Sequence, residues 1–264
     1  MPKHRELILT VCEREDLDSD HVILTFQSVA IAAAAQPGQF VNLSCSRFLR
    51  RPFGIMSVDR TEGRFQVGIR RQGSGSNELA DLTVGSQVSV LGPLGSGFDL
   101  SKDRQVITVG GGTGVFPLLF VHQVCKESGI AHHAVCGYRS SEDAILKDHF
   151  QLMAESCIFA SDSGGLDLTG NATDALEQVL SIMDEDEKAE TVVMACGPTP
   201  MLKGVAAVCA REHVDCEVSL EERMACGIGV CLCCAVDTVR DGEHHRDRCC
   251  VEGPVFQAEV VSWP

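Results

Sequence analysis

Six of the chain's 14 cysteines fall between residues 217 and 264, four of them in the run Cys226-Gly-Ile-Gly-Val-Cys231-Leu-Cys233-Cys234. Cys226, Cys231 and Cys234 make the spacing C-x4-C-x2-C, and a distant thiol follows at Cys249 or Cys250. Three closely spaced thiolates with a remote fourth are the ligand arrangement of a plant-type 2Fe–2S cluster. Gly227 and Gly229 allow a tight curl in which backbone N–H groups face the sulfurs. A four-thiolate structural zinc site is the alternative, although zinc ligands usually come as two C-x2-C-like knuckles and the far end here has none. Free thiols are a third reading. Cys233 breaks the spacing and is expected to be a bystander. His244 and His245, in the polar stretch Asp241–Arg248, are expected to be solvated.

A second motif is Gly110-Gly111-Gly112-Thr113-Gly114, between an apolar run and a helical pattern with Pro117 in its first turn. A strand–glycine–helix junction lets backbone approach a pyrophosphate, and the helix N-terminus supplies donors. The run is not a G-x-G-x-x-G fingerprint, and any tight α/β turn could contain it. Cys196-Gly197-Pro198 ends another apolar run, so two strand-end loops could close on one ligand. A third pattern pairs Arg50-Arg51-Pro52-Phe53-Gly54, at the end of a strand region, with Gly73-Ser74-Gly75-Ser76. An arginine can fork onto one phosphate while a Gly-Ser helix start takes the other.

The elements that must position these residues divide the chain of 264 residues into three parts. Short strand-like runs (Leu7–Val11, Val22–Thr25, Gln39–Leu43, Arg64–Ile69, Gln87–Leu91) punctuated by turn residues predict an antiparallel β-barrel over 1–101. From about residue 103, apolar runs at Val106–Val109, Ala131–Cys136, Cys157–Ala160 and Thr191–Ala195 alternate with helical stretches Pro117–Lys126, Glu142–Met153 and Ala172–Met183. This rhythm predicts a Rossmann-like parallel sheet over 102–216. The cysteine-rich remainder, 217–264, forms the third part. The fold class expected is thus all-β plus α/β with a small metal-binding segment.

A net charge of −15 argues against nucleic acid as a partner. The acidic run Asp184–Glu187 reads as a solvated loop or helix end. Val22–Ser46 and Gln105–Cys125 lack charges but are broken by turn residues, glycines and Pro117, so no membrane span is expected. Adjacent pairs, Cys233–Cys234 and Cys249–Cys250, suit a disulfide framework poorly, and no signal peptide is visible. A reducing cytoplasmic setting is expected, with Cys12, Cys45, Cys125, Cys136, Cys157, Cys209 and Cys216 as small core residues.

Barrel first and nucleotide domain second is the order of ferredoxin–NADP reductase-like flavoproteins, which the chain resembles. Glu222–Cys231, together with Cys250-Val-Glu-Gly-Pro-Val-Phe256, resembles one branch in particular, the electron-transfer subunits of NAD-dependent (class 1B) dihydroorotate dehydrogenase. The resemblance covers nearly the whole chain from Gln36-Pro37-Gly38-Gln39-Phe40 onward. It implies FAD held by Arg51-Pro52-Phe53-Gly54, by Gly68-Ile69-Arg70 and by Gly75-Ser76, with Arg51 on the pyrophosphate. Gly54 replaces the family's usual serine, so a side-chain hydroxyl contact to flavin is lost. It implies an NAD pocket at Gly110–Gly114 and Cys196-Gly197-Pro198. The position of the fourth cluster ligand, three before Gly-Pro, selects Cys250. Asp162 stands where a carboxylate would repel a 2′-phosphate, favouring NAD. The activity implied is a relay from the FMN of a dihydroorotate-oxidising catalytic subunit, through 2Fe–2S and FAD, to NAD+ in pyrimidine biosynthesis. The implied assembly is a heterotetramer of two of each subunit. Related subunits of an NAD(P)–ferredoxin transhydrogenase or an anaerobic sulfite reductase share the three parts, and a zinc-bearing non-redox scaffold is the remaining alternative.

Overall fold

The computed structural model describes residues 5–100 and 104–263. Its first part comprises β1 (Arg5–Asp16), β2 (His21–Gln27), α1 (Val29–Ala34), β3 (Phe40–Leu43), β4 (Arg51–Asp59), β5 (Arg64–Arg70), α2 (Ser74–Ala80) and β6 (Gln87–Leu94). The strands close into a barrel in the order β1-β2-β5-β4-β3-β6. Period-two alternation drives this closure. On β5, Phe65, Val67 and Ile69 are buried inside the barrel, while Gln66, Gly68 and Arg70 face out. Rings of Phe26 and Phe65 stack at 5.4 Å between centroids in that interior. The segment Arg51–Gly54, expected to end a strand region, instead opens β4 and pairs with β3 from Leu43↔Arg51 to Phe40↔Gly54. Pro52 is accommodated because it sits next to the strand's first residue.

The second part runs β7 (Gln105–Gly111), α3 (Val115–Ser128), β8 (His132–Tyr138), α4 (Lys147–Met153), β9 (Ser156–Ser161), β10 (Leu168–Thr169), α5 (Ala172–Ser181), α6 (Glu185–Ala189), β11 (Thr191–Cys196), α7 (Thr199–Glu212) and β12 (Asp215–Ser219). A hairpin of β13 (Ala235–Arg240) and β14 (Glu243–Arg248) follows, then β15 (Val255–Gln257). The main sheet has the order β10-β9-β8-β7-β11-β12-β15, parallel except for β15 against β12. Its central strands are mostly apolar and buried, as helices on both faces require; β11 is buried at every residue.

Three expectations need correcting. The helix expected over Glu142–Met153 is broken, because Leu146 adopts a left-handed conformation (φ 63°) and α4 begins only after it. The Tyr138 hydroxyl donates to the Ile145 carbonyl at 2.7 Å and fixes the break. Helix α7, with Pro200 in its first turn, was not foreseen. The expected boundary at 216/217 cuts through β12, and β15 returns to cover that strand's edge, so residues 217–264 do not stand apart from the sheet. The expected boundary at 101/102 lies outside the described residues. Asp184 accepts a hydrogen bond from the Glu187 N–H at 2.8 Å and caps α6, so the acidic run is a helix start. No described helix is long and apolar enough to cross a membrane. All 14 cysteines are free.

Candidate functional site: a cleft between barrel and sheet, beside a thiol loop

Strand order reverses between β7 and β11, which places the loops after their carboxyl ends side by side. Such a switch point is where α/β sheets bind ligands. Glycines permit the contact between the loops. A Cβ on Gly114 would lie 2.1 Å from the Cys196 carbonyl oxygen, and one on Gly111 would lie 2.5 Å from Met201 Sδ. Gly197 also faces Met201, while Gly110 is pressed against Val115 beneath the helix. Gly112 has φ +55° with open space around it, and Pro198 sits at the start of α7.

The first turn of α3 docks onto the barrel at two more glycines. A Cβ on Gly68 would fall 2.0 Å from the Phe116 ring, and one on Gly54 would fall 2.8 Å from Pro117 Cβ. This seating leaves a cleft of about 530 Å³, a size typical of small-molecule sites. Arg51–Gly54, Gly68 and Arg70 form its barrel wall. Gly73–Ser76, at the start of α2, close one end. Thr113, Phe116 and Cys196 face them from the sheet side. Leu220, Glu221, Glu222, Met224 and Pro254 come from the segments flanking the thiol loop.

Arg51 stretches across α2: a Cβ on Gly75 would lie 2.6 Å from its Nε, so only glycine leaves room for the guanidinium. Its Nη1 donates to the carbonyls of Leu49 at 2.7 Å and Arg50 at 3.2 Å, which holds it in place. The Ser76 hydroxyl accepts from the Gly73 N–H at 3.0 Å and shapes the turn. Among the residues expected to hold FAD, Ile69 is the exception, since its side chain is wholly inside the barrel and does not line the cleft. Of the two expected nucleotide loops, Thr113 and Cys196 reach the cleft; Gly110, Gly111, Gly114 and Gly197 pack the loops together, and Gly112 faces open space. Burial pushes the Cys196 thiol up to about 12, so it is neutral and no nucleophile. Desolvation also raises the Glu221 carboxyl above the usual carboxylate range. Asp162 is exposed just past β9, with its N–H bonded to the Tyr138 carbonyl at 3.2 Å.

The thiol loop follows directly from the cleft wall, with Met224 two residues before Cys226. Gly227 (φ +70°) and Gly229 (φ +83°) make the curl that L-residues rarely adopt. Cys226 Sγ accepts from the N–H groups of Val230 at 3.3 Å and Cys231 at 3.4 Å. Desolvation opposes ionisation there, but these donors and the Ile228 N–H together bring the Cys226 thiol down to about 6. The Cys231 thiol lies beside Cys226 and the Cys234 thiol beside Cys250, and Cys226 also bears electrostatically on Cys250. Among the described residues no three His, Cys, Asp or Glu side chains converge tightly enough to hold a single metal ion. Cys249, fully buried, instead turns its thiol to the Leu220 carbonyl at 3.9 Å. Arg248 braces the loop by donating from Nη1 to the Gly229 carbonyl at 2.8 Å and pairing with Glu252. Cys233 is exposed, as are His244 and His245.

Three family matches divide the chain as the geometry does. Residues 8–98 match an oxidoreductase FAD-binding domain, and 108–207 match an oxidoreductase NAD-binding domain. Residues 221–262 match the iron–sulfur cluster binding domain of dihydroorotate dehydrogenase B. The electron transfer subunit of dihydroorotate dehydrogenase B (NAD(+)) from Shouchella clausii is 33% identical over 96% of this chain and 97% of its own. The corresponding subunit from Desulforamulus reducens is 35% identical over 91% of this chain and 92% of its own. The chain belongs to the electron-transfer subunits of dihydroorotate dehydrogenase B. Among solved structures, an NADH-dependent reduced ferredoxin–NADP oxidoreductase is 28% identical, with a TM-score of 0.85 over 97% of this chain and 90% of that one. The ferredoxin reductase of carbazole 1,9a-dioxygenase (18% identical, TM-score 0.69) shares the fold over 80% of this chain and 67% of its own.

As a member of this family the chain is an oxidoreductase subunit with FAD-, NAD- and iron–sulfur-binding parts, and its place is beside a catalytic subunit. Sequence reasoning missed Phe116 and Glu221–Glu222 as cleft walls. Phe116 carried a signal, because it follows the glycine run by two residues and must face whatever that run faces. The glutamates carried none.

Proposed function

We propose that this chain carries electrons from the FMN of a separate dihydroorotate-oxidising subunit to NAD+, through a 2Fe–2S cluster on Cys226, Cys231, Cys234 and Cys250 and an FAD in the cleft. The observation that carries the reading is the continuity of the site: one cleft is walled by the barrel, by the strand-end loops and by the segments that flank the thiol loop. What the bound groups supply is conversion between single-electron traffic and the two-electron hydride that NAD+ accepts. The protein's part is placement. Arg51 and the Gly73–Ser76 turn offer a cation and backbone donors for the FAD pyrophosphate. Gly54 lines the barrel wall of the cleft, where the flavin ring would sit, and Thr113 and Cys196 line the facing wall, on the side left to the nicotinamide. The N–H donors on Cys226 offset thiolate charge at the cluster end.

Near the thiol loop, Ile228, Val230, Leu232 and Val251 expose apolar side chains to solvent, Val230 by 77%. Such a patch suits a protein interface, here with the catalytic subunit in a cytoplasmic heterotetramer of two of each. The test is co-expression with an FMN-binding dihydroorotate dehydrogenase. NAD+ reduction on adding dihydroorotate should require both chains. The likeness to the ferredoxin–NADP oxidoreductase favours a second reading, a subunit working with a large iron–sulfur flavoprotein. Its signature would be ferredoxin-dependent turnover and no orotate.

A further inference from the structure

Asn42 is a polar residue in an apolar place. It lies on the outer face of β3, is 1% exposed, and neither its Nδ2 nor its Oδ1 has a hydrogen-bond partner among the described residues. A buried carboxamide left unpaired is costly, and native proteins rarely retain one without a use. Its Nδ2 lies 2.2 Å from where a Cβ on Gly227 would stand, and Leu94 Cδ1 borders the same point at 3.4 Å. Asn42 therefore presses on the backbone next to Cys226. Through β3 it is also paired in register with Pro52 on the cleft wall. The side chain thus turns its Nδ2 toward the thiol loop, while its backbone partner lies on the cleft wall.

We propose that the Asn42 carboxamide donates a hydrogen bond to a sulfur at the Cys226 end of the 2Fe–2S cluster and raises its reduction potential, making Asn42 a positioning residue for electron flow toward the cleft. The physical basis is that a donor to cluster sulfur stabilises the more negative, reduced state. The glycine at 227 is what admits the carboxamide, since any side chain there would collide with it. This inference rests on the 2Fe–2S assignment made above.

The test uses the complete protein with its cluster, comparing wild type with Asn42→Leu by redox titration followed by electron paramagnetic resonance. Leucine fills similar space and removes the unpaired groups, so a packing role alone predicts an unchanged cluster potential and equal or greater stability. The proposal predicts a more negative cluster potential, with the reduction equilibrium shifted about tenfold, or ~59 mV for one electron. An unshifted cluster potential overturns it, including the case in which only the flavin potential moves. A measurement on wild type guards against a variant that fails to fold. The chain has three asparagines, Asn42, Asn77 and Asn171. Labelling asparagine with ¹⁵N should produce a nitrogen coupling to the reduced cluster in pulsed resonance, and absence of that coupling also overturns the proposal. Purified wild type without iron, sulfide or the cluster signal would sink the 2Fe–2S assignment itself, a result distinct from a normal cluster indifferent to residue 42.

Discussion

The cleft and the thiol loop are neighbours built on opposite principles. The cleft is made by secondary structure: β4, β5, α2 and α3 fix its walls, and glycines at 54, 68 and 75 clear the space for Pro117, Phe116 and Arg51. The thiol loop has no strand or helix between Ser219 and Ala235. It is held by tight turns, by two N–H bonds to Cys226 and by the Arg248 brace. An organic cofactor bound without covalent bonds needs a preformed surface. A cluster bonded by four sulfurs brings much of its own order, as metal sites coupled to folding do.

The largest expected effect lies at the loop. Cys250→Ser should lose most of the bound iron, while Cys249→Ser should keep it; iron and acid-labile sulfide assays decide, and equal losses would refute the assignment. Next comes the seam of the cleft. Gly68→Val places bulk within the Phe116 ring and should cost about 1–3 kcal/mol or more of stability, read as a lowered Tm and lost flavin. An unaffected Tm would mean that the docking of α3 on the barrel is not tightly packed. Arg51→Ala should leave the Tm nearly unchanged but weaken FAD retention by ~1.5–3 kcal/mol, as loss of a charge-assisted contact does. Flavin content after dialysis checks this, and its loss should leave iron content in place if the two regions are independent.

The smallest effect concerns pH. His122, on α3, is fully buried against Thr108, its Nε2 being 2.7 Å from Thr108 Oγ1. Desolvation, assisted by His132 and His133, lowers its pKa to about 3. An unfolded imidazole titrates near 6.5. Between those values the unfolded chain binds a proton that the native chain refuses, so stability falls as pH drops from about 6.5 toward 3. The loss is at most about 1.4 kcal/mol per pH unit. The Tm difference between pH 7 and pH 5 should shrink in His122→Gln, with the cluster signal unaltered by that substitution.

The loop was the more legible region in the sequence because its chemistry is local: three cysteines at fixed spacing announce themselves, and the remote fourth was narrowed to Cys249 or Cys250. Its surroundings were less so, since Asn42 packs against Gly227, the neighbour of Cys226, from a strand more than 180 residues earlier. Barrel and sheet were legible from their periodicities, two for β5 and alternating apolar runs and helices after β7. The break at Leu146 escaped because it depends on a tertiary bond from Tyr138. The cleft was visible only as fragments. Ile69 shows the limit: a motif spans consecutive residues, but a strand offers a cleft only every second one.

Gly54 and Pro117 carry a consequence for variation in this chain. A side chain at 54 meets the proline ring at 2.8 Å, so the two positions form an epistatic pair. The serine usual in the family cannot simply be restored at 54. The nearest atom is the Cβ of Pro117, which every residue but glycine keeps, so a serine at 54 becomes tolerable only where the start of α3 shifts away from β4, and swaps made singly will misreport what either residue does.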